Sequence, residues 1–278
     1  VHISYINLDH RTDRNLQIAE RFEELSLSAI RITAVTPNDL SEADKLACQR
    51  TYSSDDPIIA AELCCNLSHK RAMEAFLSSG ADYGAIFEDD AIMADDLPQV
   101  LAEIDAEGMP CDILKLETYI DRTQYGVRAI RRYGQYGVHS MHSYTWGCAG
   151  YVISRKAAKL YIETPQMMWI AADRALWRRF PNKTGAKVCQ LVPAPVAQYG
   201  QLVGNNDATS NIGPTRGTVY QQIVASERAW SKVRRFCRDE LTIALPALLH
   251  RALKRSVRGS IPFTGEIPFH AVSKRAGE

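Results

Sequence analysis

The 278-residue chain carries almost no net charge, +1 at neutral pH with its histidines neutral. It therefore lacks the overall field that draws a protein to nucleic acid. No run of about 20 apolar residues occurs, which argues against a membrane-spanning helix, and no secretory signal peptide is present. Repeats and low-complexity tracts are also missing, so solenoid and disordered classes drop out. None of the seven cysteines (Cys48, Cys64, Cys65, Cys111, Cys148, Cys189, Cys237) forms a C-x-x-C pair, and His69 and the other histidines stand at no zinc spacing. The odd count without a disulfide framework fits a reducing cytoplasm. Adjacent Cys64 and Cys65 read as small buried hydrophobes. The chain begins at Val1 rather than Met, which reads as a trimmed start.

What is present is an alternation of strand and helix patterns. Val1 to Leu8 starts as a period-2 strand with Val1, Ile3 and Tyr5 on one face. A charged turn over Asp9 to Arg14 follows, with Thr12 or Asp13 as candidate helix cap. Leu16, Ala19, Phe22 and Leu25 then predict an amphipathic helix, and Ile30, Ile32 and Ala34 a second strand. This β-α-β opening predicts parallel pairing. Thr36 to Pro57 reads as a polar loop with one short helix, and Ala60 to Ser79 as a helix stopped by Gly80. Ile113–Leu116, Tyr151–Ile153 and Val188–Val192 read as strands, and Arg155–Glu163 as a helix. Tyr119 to Ser143 lacks periodicity and reads as an excursion over the site mouth or a lid.

The most informative stretch is Ala85 to Met93. An apolar run, Tyr83 to Phe87, ends abruptly in Glu88, Asp89 and Asp90. Such a run predicts a strand buried on both faces, and ligands of open α/β sheets gather beyond the carboxyl ends of strands. Three adjacent acids repel one another unless a cation sits among them, and Mg²⁺ or Mn²⁺ takes carboxylate oxygens while sharing substrate phosphates. The bland alternative is a solvated acidic loop.

Five segments, in order, carry a resemblance. They are V-H-I-S-Y-I-N-L-D-H-R-T-D-R from Val1, E-L-C-C-N-L-S-H ending at His69, A-I-F-E-D-D-A ending at Ala91, G-C-A-G-Y-V-I-S-R-K-A-A from Gly147, and A-A-D-R-A-L-W ending at Trp177. Together they resemble glycosyltransferase family 25 over about residues 1 to 212. The resemblance implies a GT-A type α/β fold: a Rossmann-like, mostly parallel central sheet flanked by helices. It further implies a nucleotide-sugar donor (UDP-hexose, most often UDP-galactose), a divalent metal (Mn²⁺ or Mg²⁺) and inversion at the anomeric carbon. Three departures stand out: Ala61-Glu62 and Cys64-Cys65 replace Gly-Glu and Gly-Cys steps, and Ala34-Val35-Thr36-Pro37 lacks the usual glycine after the second strand.

The resemblance distributes roles among the candidates. Glu88-Asp89-Asp90 corresponds to the D-x-D-like element, with Asp90 and then Asp89 as metal ligands and Glu88 toward ribose or a metal-bound water. Asn7, Arg11 and Arg14 follow the first strand, where arginine offers charge-assisted bonds to a diphosphate; equally, they pair with Asp9 and Asp13 in a charged turn. His69 reads as a satisfied core histidine or a donor contact, and Ser68 as a phosphate contact or a back-bond to its own helix. Trp146 and Tyr151 are candidates for stacking on the acceptor sugar, Tyr151 equally for core packing. Asp173, a solitary carboxylate, is the candidate base that an inverting transferase needs on the acceptor side, or else a helix cap.

From Ser226 the character changes. Arg228, Lys232, Arg234, Arg235, Arg238, Arg251, Lys254, Arg255 and Arg258 surround the apolar stretch Leu241 to Leu249. The expected division is a catalytic domain over 1–217 and a basic, partly helical C-terminal appendage over 218–278. A basic amphipathic segment can lie on an anionic membrane, which would put the enzyme on the inner face of the cytoplasmic membrane beside a glycolipid acceptor such as the lipopolysaccharide core. A helix packed on the main domain is the alternative. Two other functional readings stand beside the transferase: a non-catalytic sugar-nucleotide or glycan binder, and a metal-dependent phosphohydrolase.

Overall fold

A computed structural model describes residues 1–51, 57–120, 122–203, 245–253 and 255–266. Strand β1 (His2–Asn7) lies between β2 (Ile30–Thr33) and β3 (Tyr83–Glu88), parallel to both. Helix α1 (Thr12–Glu24) makes the first crossover. Its inward stripe is Arg14, Ile18, Phe22 and the following Leu25, spaced by four, four and three residues. Of the expected stripe, Phe22 and Leu25 point inward, Ala19 is half-buried, and Leu16 is 60% exposed. The polar stretch after β2 holds a 3₁₀ turn (Pro37–Asp39) and α2 (Glu42–Thr51). Helix α3 (Ala60–Ser78) then returns the chain to β3.

Beyond β3 the topology departs from the expected mostly parallel sheet. The central sheet has eight strands in the order β2-β1-β3-β10-β5-β11-β9-β8. Here β5 is Ile113–Lys115, β8 Arg131–Tyr133, β9 Tyr136–Ser140, β10 Gly150–Ser154 and β11 Val188–Val192. Strand β10 is antiparallel to both β3 and β5, and β9 is antiparallel to β8 and β11. The sheet is thus mixed. The aperiodic segment after Tyr119 is not a loose lid: it builds β7 (Arg122–Gly126), β8 and β9.

Both faces of the central sheet are covered, as period-2 alternation requires. Ile3, Tyr5, Ala85, Phe87, Leu114 and Val152 point to one face, with α1 and α4 (Leu97–Glu107). Ile6, Ile86, Ile113, Tyr151 and Ile153 point to the other, with α3 and α5 (Arg155–Ile162). Truncating a fully buried member such as Phe87, Leu114, Ile113 or Ile153 to alanine costs about 2–5 kcal/mol.

A small second sheet holds β12 (Val196–Gln198) between β4 (Ala91–Met93) and β6 (Glu117–Thr118). Part of the C-terminal segment joins the body. Strand β13 (Ser256–Ser260) pairs antiparallel with β7, Ile261 is buried, and its carbonyl accepts from the Thr118 hydroxyl at 2.8 Å. Before it, α9 (Leu245–Ala252) exposes Leu245, Leu248 and Leu249, while His250 stacks on His142 with ring centroids 4.1 Å apart. Three short helices precede it in the chain, α6 (Ala172–Arg174), α7 (Phe180–Thr184) and α8 (Tyr199–Val203). The boundary near Thr218 and the basic residues at 228–238 and 254 lie outside the described residues. Among the described residues no helix is long and apolar enough to cross a membrane.

Candidate active site

The carboxyl ends of the parallel strands β1, β3 and β5 open on one edge of the sheet, and antiparallel β10 begins there. That shared edge brings Asn7, Glu88, Lys115 and the Gly147–Ala149 segment together although they are far apart in sequence. Asp89 is held from two sides. Asn7 Nδ2 donates to its Oδ2 at 2.7 Å and Arg14 Nη1 to its Oδ1 at 2.9 Å. Asn7 is itself oriented, since its Oδ1 accepts from Arg31 Nε at 3.0 Å and its Nδ2 also reaches the Arg11 carbonyl at 3.1 Å. Asn7 and Arg14 thus position the acidic element. Arg11 lies further out, in a two-pronged pair with Asp13 at 2.9 and 2.7 Å, and it still feels the charges of Asp89 and Asp90.

Asp90 is the least settled of the three acids. Its Oδ2 accepts from Gln198 Nε2 at 3.1 Å and lies 3.5 Å from Arg14 Nη1. Its Oδ1 is buried without any hydrogen-bond partner among the described residues. Burial raises its carboxyl to about 7, the Glu88 charge adds to the rise, Arg14 opposes it and Asp89 contributes further. Gln198 arrives because β12 pairs with β4 in the register Gln198↔Ala91. Nothing in the local sequence announced it.

Glu88 enters a half-buried cluster with Cys65, His69 and Cys148. Its Oε1 lies 3.3 Å from His69 Nε2, 3.3 Å from Cys148 Sγ and 3.8 Å from Cys65 Sγ. His69 is fully buried and its Nδ1 meets the Tyr151 hydroxyl at 3.0 Å. Burial alone would lower the imidazole; the contacts with Cys65 and Glu88 outweigh it and bring it to about 10. Cys65 is only half-buried and points at Glu88, rather than being the small buried hydrophobe expected.

A second buried pair lies beside it. Lys115 Nζ stands 3.4 Å from Glu117 Oε2, with both side chains wholly inaccessible. Lys115 also donates to the carbonyls of Trp146 and Gly147, and Glu117 Oε2 accepts from Ala149 N at 2.9 Å. Burial pushes the Glu117 carboxyl up to about 7 despite the lysine. A charged residue at the end of a short apolar strand was the available signal for this pair.

For Tyr151 and Ser68 the structure takes the alternative reading, core packing and a back-bond to the helix, over the ligand contact. Tyr151 is fully buried in the core, edge-on to Trp177 at 5.7 Å, and has no face for a sugar to stack on. Ser68 is buried, with its hydroxyl accepting from Val35 N at 2.8 Å and donating to the Cys64 carbonyl at 2.7 Å. It fastens the segment after β2 to α3 and faces no open pocket. Trp146 is 39% exposed and lies edge-on to Tyr144 at 4.9 Å, so its outer face stays available. Asp173 sits in α6, half-buried. Its Oδ1 accepts from Arg174 N at 2.6 Å, and burial followed by the Asp173 charge raises the nearby Tyr144 hydroxyl.

Comparison with known proteins converges on one family. Residues 1–176 match the model for glycosyltransferase family 25 (LPS biosynthesis protein). The chain is 27% identical over 218 residues to the lacto-N-neotetraose biosynthesis glycosyltransferase LgtB of Neisseria meningitidis serogroup B, covering 75% of this chain and 79% of that one. It is 31% identical over 157 residues to LgtE of the same organism, covering 52% and 56%. It is 26% identical over 214 residues to the lipooligosaccharide biosynthesis protein lic2B of Haemophilus influenzae, covering 73% and 78%. The matched region spans β1, α3, the acidic strand end and Asp173, and on that ground the chain belongs to glycosyltransferase family 25.

Proposed function

We propose that this chain transfers a hexose, galactose, from UDP-galactose to a hydroxyl of a lipooligosaccharide or lipopolysaccharide core, with inversion at the anomeric carbon and Mn²⁺ or Mg²⁺ held at Asp90. The observation that carries the reading is the partnerless, buried Oδ1 of Asp90 at a strand end of a family 25 chain. An anionic oxygen out of water and without a donor costs several kcal/mol unless a proton or a cation meets it. The donor set is hard oxygen, which suits Mn²⁺ or Mg²⁺. Asp89 fits a ligand role less well, because Asn7 and Arg14 already engage both of its oxygens. When bound, the cation would offset the charge that grows on the departing diphosphate.

The remaining roles follow from position. Asn7, Arg14 and Gln198 hold the acidic element rigid, so little reorganisation is needed as charge develops. Arg11, at the outer rim, exchanges Asp13 for a diphosphate oxygen. Asp173 takes the acceptor proton, and Trp146 offers its exposed face to the acceptor sugar. The membrane reading of the tail is supported by the exposed leucines of α9 beside Arg251.

The test is a transfer assay with UDP-, GDP- and CMP-sugars and a lactose- or core-type acceptor. UDP-galactose should be the preferred donor, Asp90→Ala and excess chelator should each abolish transfer, and the product should carry the inverted linkage. Full activity in chelator sinks the metal assignment. Binding without turnover, or hydrolysis indifferent to the sugar, sinks the transferase reading.

A further inference from the structure

Cys65 and His69 stand four residues apart on α3, so both side chains leave one face of the helix. That face meets the end of β3 at Glu88 and the segment entering β10 at Cys148. The two strands are locked together at this point, since Glu88 N donates to the Ala149 carbonyl at 3.0 Å. Cys148 Sγ lies 3.3 Å from His69 Nε2 and 3.3 Å from Glu88 Oε1. Glu88 Oε1 lies 3.3 Å from His69 Nε2 and 3.8 Å from Cys65 Sγ. All four donor atoms fall within 4.8 Å of one another. A tetrahedral zinc with thiolate, imidazole and carboxylate ligands spaces them by roughly 3.3–3.8 Å. Four of the six separations occupy that range, and the other two stay within 4.8 Å.

We propose that Cys65, His69, Glu88 and Cys148 form a structural zinc site, distinct from the cation site at Asp90. Two thiolates and an imidazole select a borderline-soft ion over Mg²⁺ or Mn²⁺. Four protein ligands complete the tetrahedron and leave no position for substrate, which is the pattern of a structural rather than a catalytic zinc. The outer contact is also in place. His69 turns Nε2 toward the cluster and Nδ1 toward the Tyr151 hydroxyl, which fixes the tautomer a ligand needs. Because Glu88 adjoins Asp89 and Asp90, zinc would tie α3 and β10 to the strand end that carries the acidic element. Glu88 then serves as a ligand rather than as a contact to ribose.

The experiment measures metal in the full chain, produced with zinc in the medium and purified under reductant. Elemental analysis should find one zinc per chain after gel filtration. Cobalt exchange should give a thiolate-to-metal charge-transfer band with an intensity appropriate to two sulfurs. Cys65→Ala and Cys148→Ala should each hold less than about a tenth of an equivalent, since a structural zinc site depends on its full ligand set. Cys48→Ala, a buried thiol elsewhere, should keep the full content, and so should Asp90→Ala, which separates this site from the proposed catalytic cation. Tyr151→Phe should weaken zinc binding about 10- to 100-fold through the lost outer contact. Parent protein without zinc and without the cobalt band overturns the proposal. So does full zinc content in both cysteine variants, or a Cys65–Cys148 disulfide in metal-free parent protein. If the cysteine variants fail to fold, the cobalt band of the parent decides alone.

Discussion

Gly147→Ala tests whether the Lys115–Glu117 pair is the clamp that sets the active-site edge. Gly147 has φ +77°, a left-handed backbone that an L side chain occupies at a cost of about 1–2 kcal/mol. A Cβ there would overlap Glu117 Oε1 and lie 2.9 Å from its carboxyl carbon. The carboxylate has no room to retreat, being fully buried beside Lys115. Displacing it breaks the 2.9 Å bond from Ala149 N, a charge-assisted contact worth about 1.5–3 kcal/mol. The sum is about 2.5–5 kcal/mol, a large share of the roughly 5–15 kcal/mol that holds a domain together. Gly185→Ala is the control: φ is +74° but no heavy atom lies within 4 Å of the added Cβ, so only the backbone cost of about 1–2 kcal/mol applies. Urea denaturation of both variants gives the comparison. If Gly147→Ala loses no more stability than Gly185→Ala, the clash with Glu117 is not real and the clamp argument fails.

Other consequences can be measured directly. Glu117 has its carboxyl raised from an ordinary 4.5 to about 7, so the stability it contributes is complete below about pH 4.5 and lost as pH climbs to about 7. At about 1.4 kcal/mol per unit the loss is about 3 kcal/mol at most; denaturation at several pH values should show parent stability falling relative to Glu117→Gln across that window, and a flat difference refutes it. Asp173→Asn keeps shape but loses proton affinity, and turnover should fall by about 10²-fold or more with donor binding unchanged; near-parental turnover would make Asp173 a helix cap. Deleting residues from 256 onward strips β13 from β7 and removes buried Ile261, so the melting temperature should drop; an unchanged value would mean that the pairing contributes nothing. Full-length protein should sediment with anionic liposomes at low salt and release as salt rises, and indifference to such liposomes removes the membrane reading.

The β-α-β opening, the strand ending at Glu88 and the helix over Ala60–Ser78 were legible because each rests on local periodicity and local stop signals. So was the acidic triplet, since three adjacent carboxylates need no neighbours to be noticed, and five ordered segments sufficed for the family. Strand direction was not legible. Gly150–Ser154 reads as an apolar strand whichever way it runs, and only its pairing with β3 and β5 decides that it enters antiparallel. Leu16 misled for a related reason: a three-residue spacing drifts off the helical period, so the stripe was right at Phe22 and Leu25, while packing against the sheet selects Ile18 rather than Leu16 in the earlier turns. The site shows the division most clearly. Sequence supplied Asp90 as an acid, but its unpartnered oxygen exists only because β12 brings Gln198 to one side and burial closes the other. Cys65 and His69 share a helix face by spacing alone, whereas Cys148 reaches them across 79 residues through strand pairing. Local sequence sets which faces are apolar and which residues are chemically able; long-range contacts, whose free energy no window of sequence contains, decide which of those residues meet.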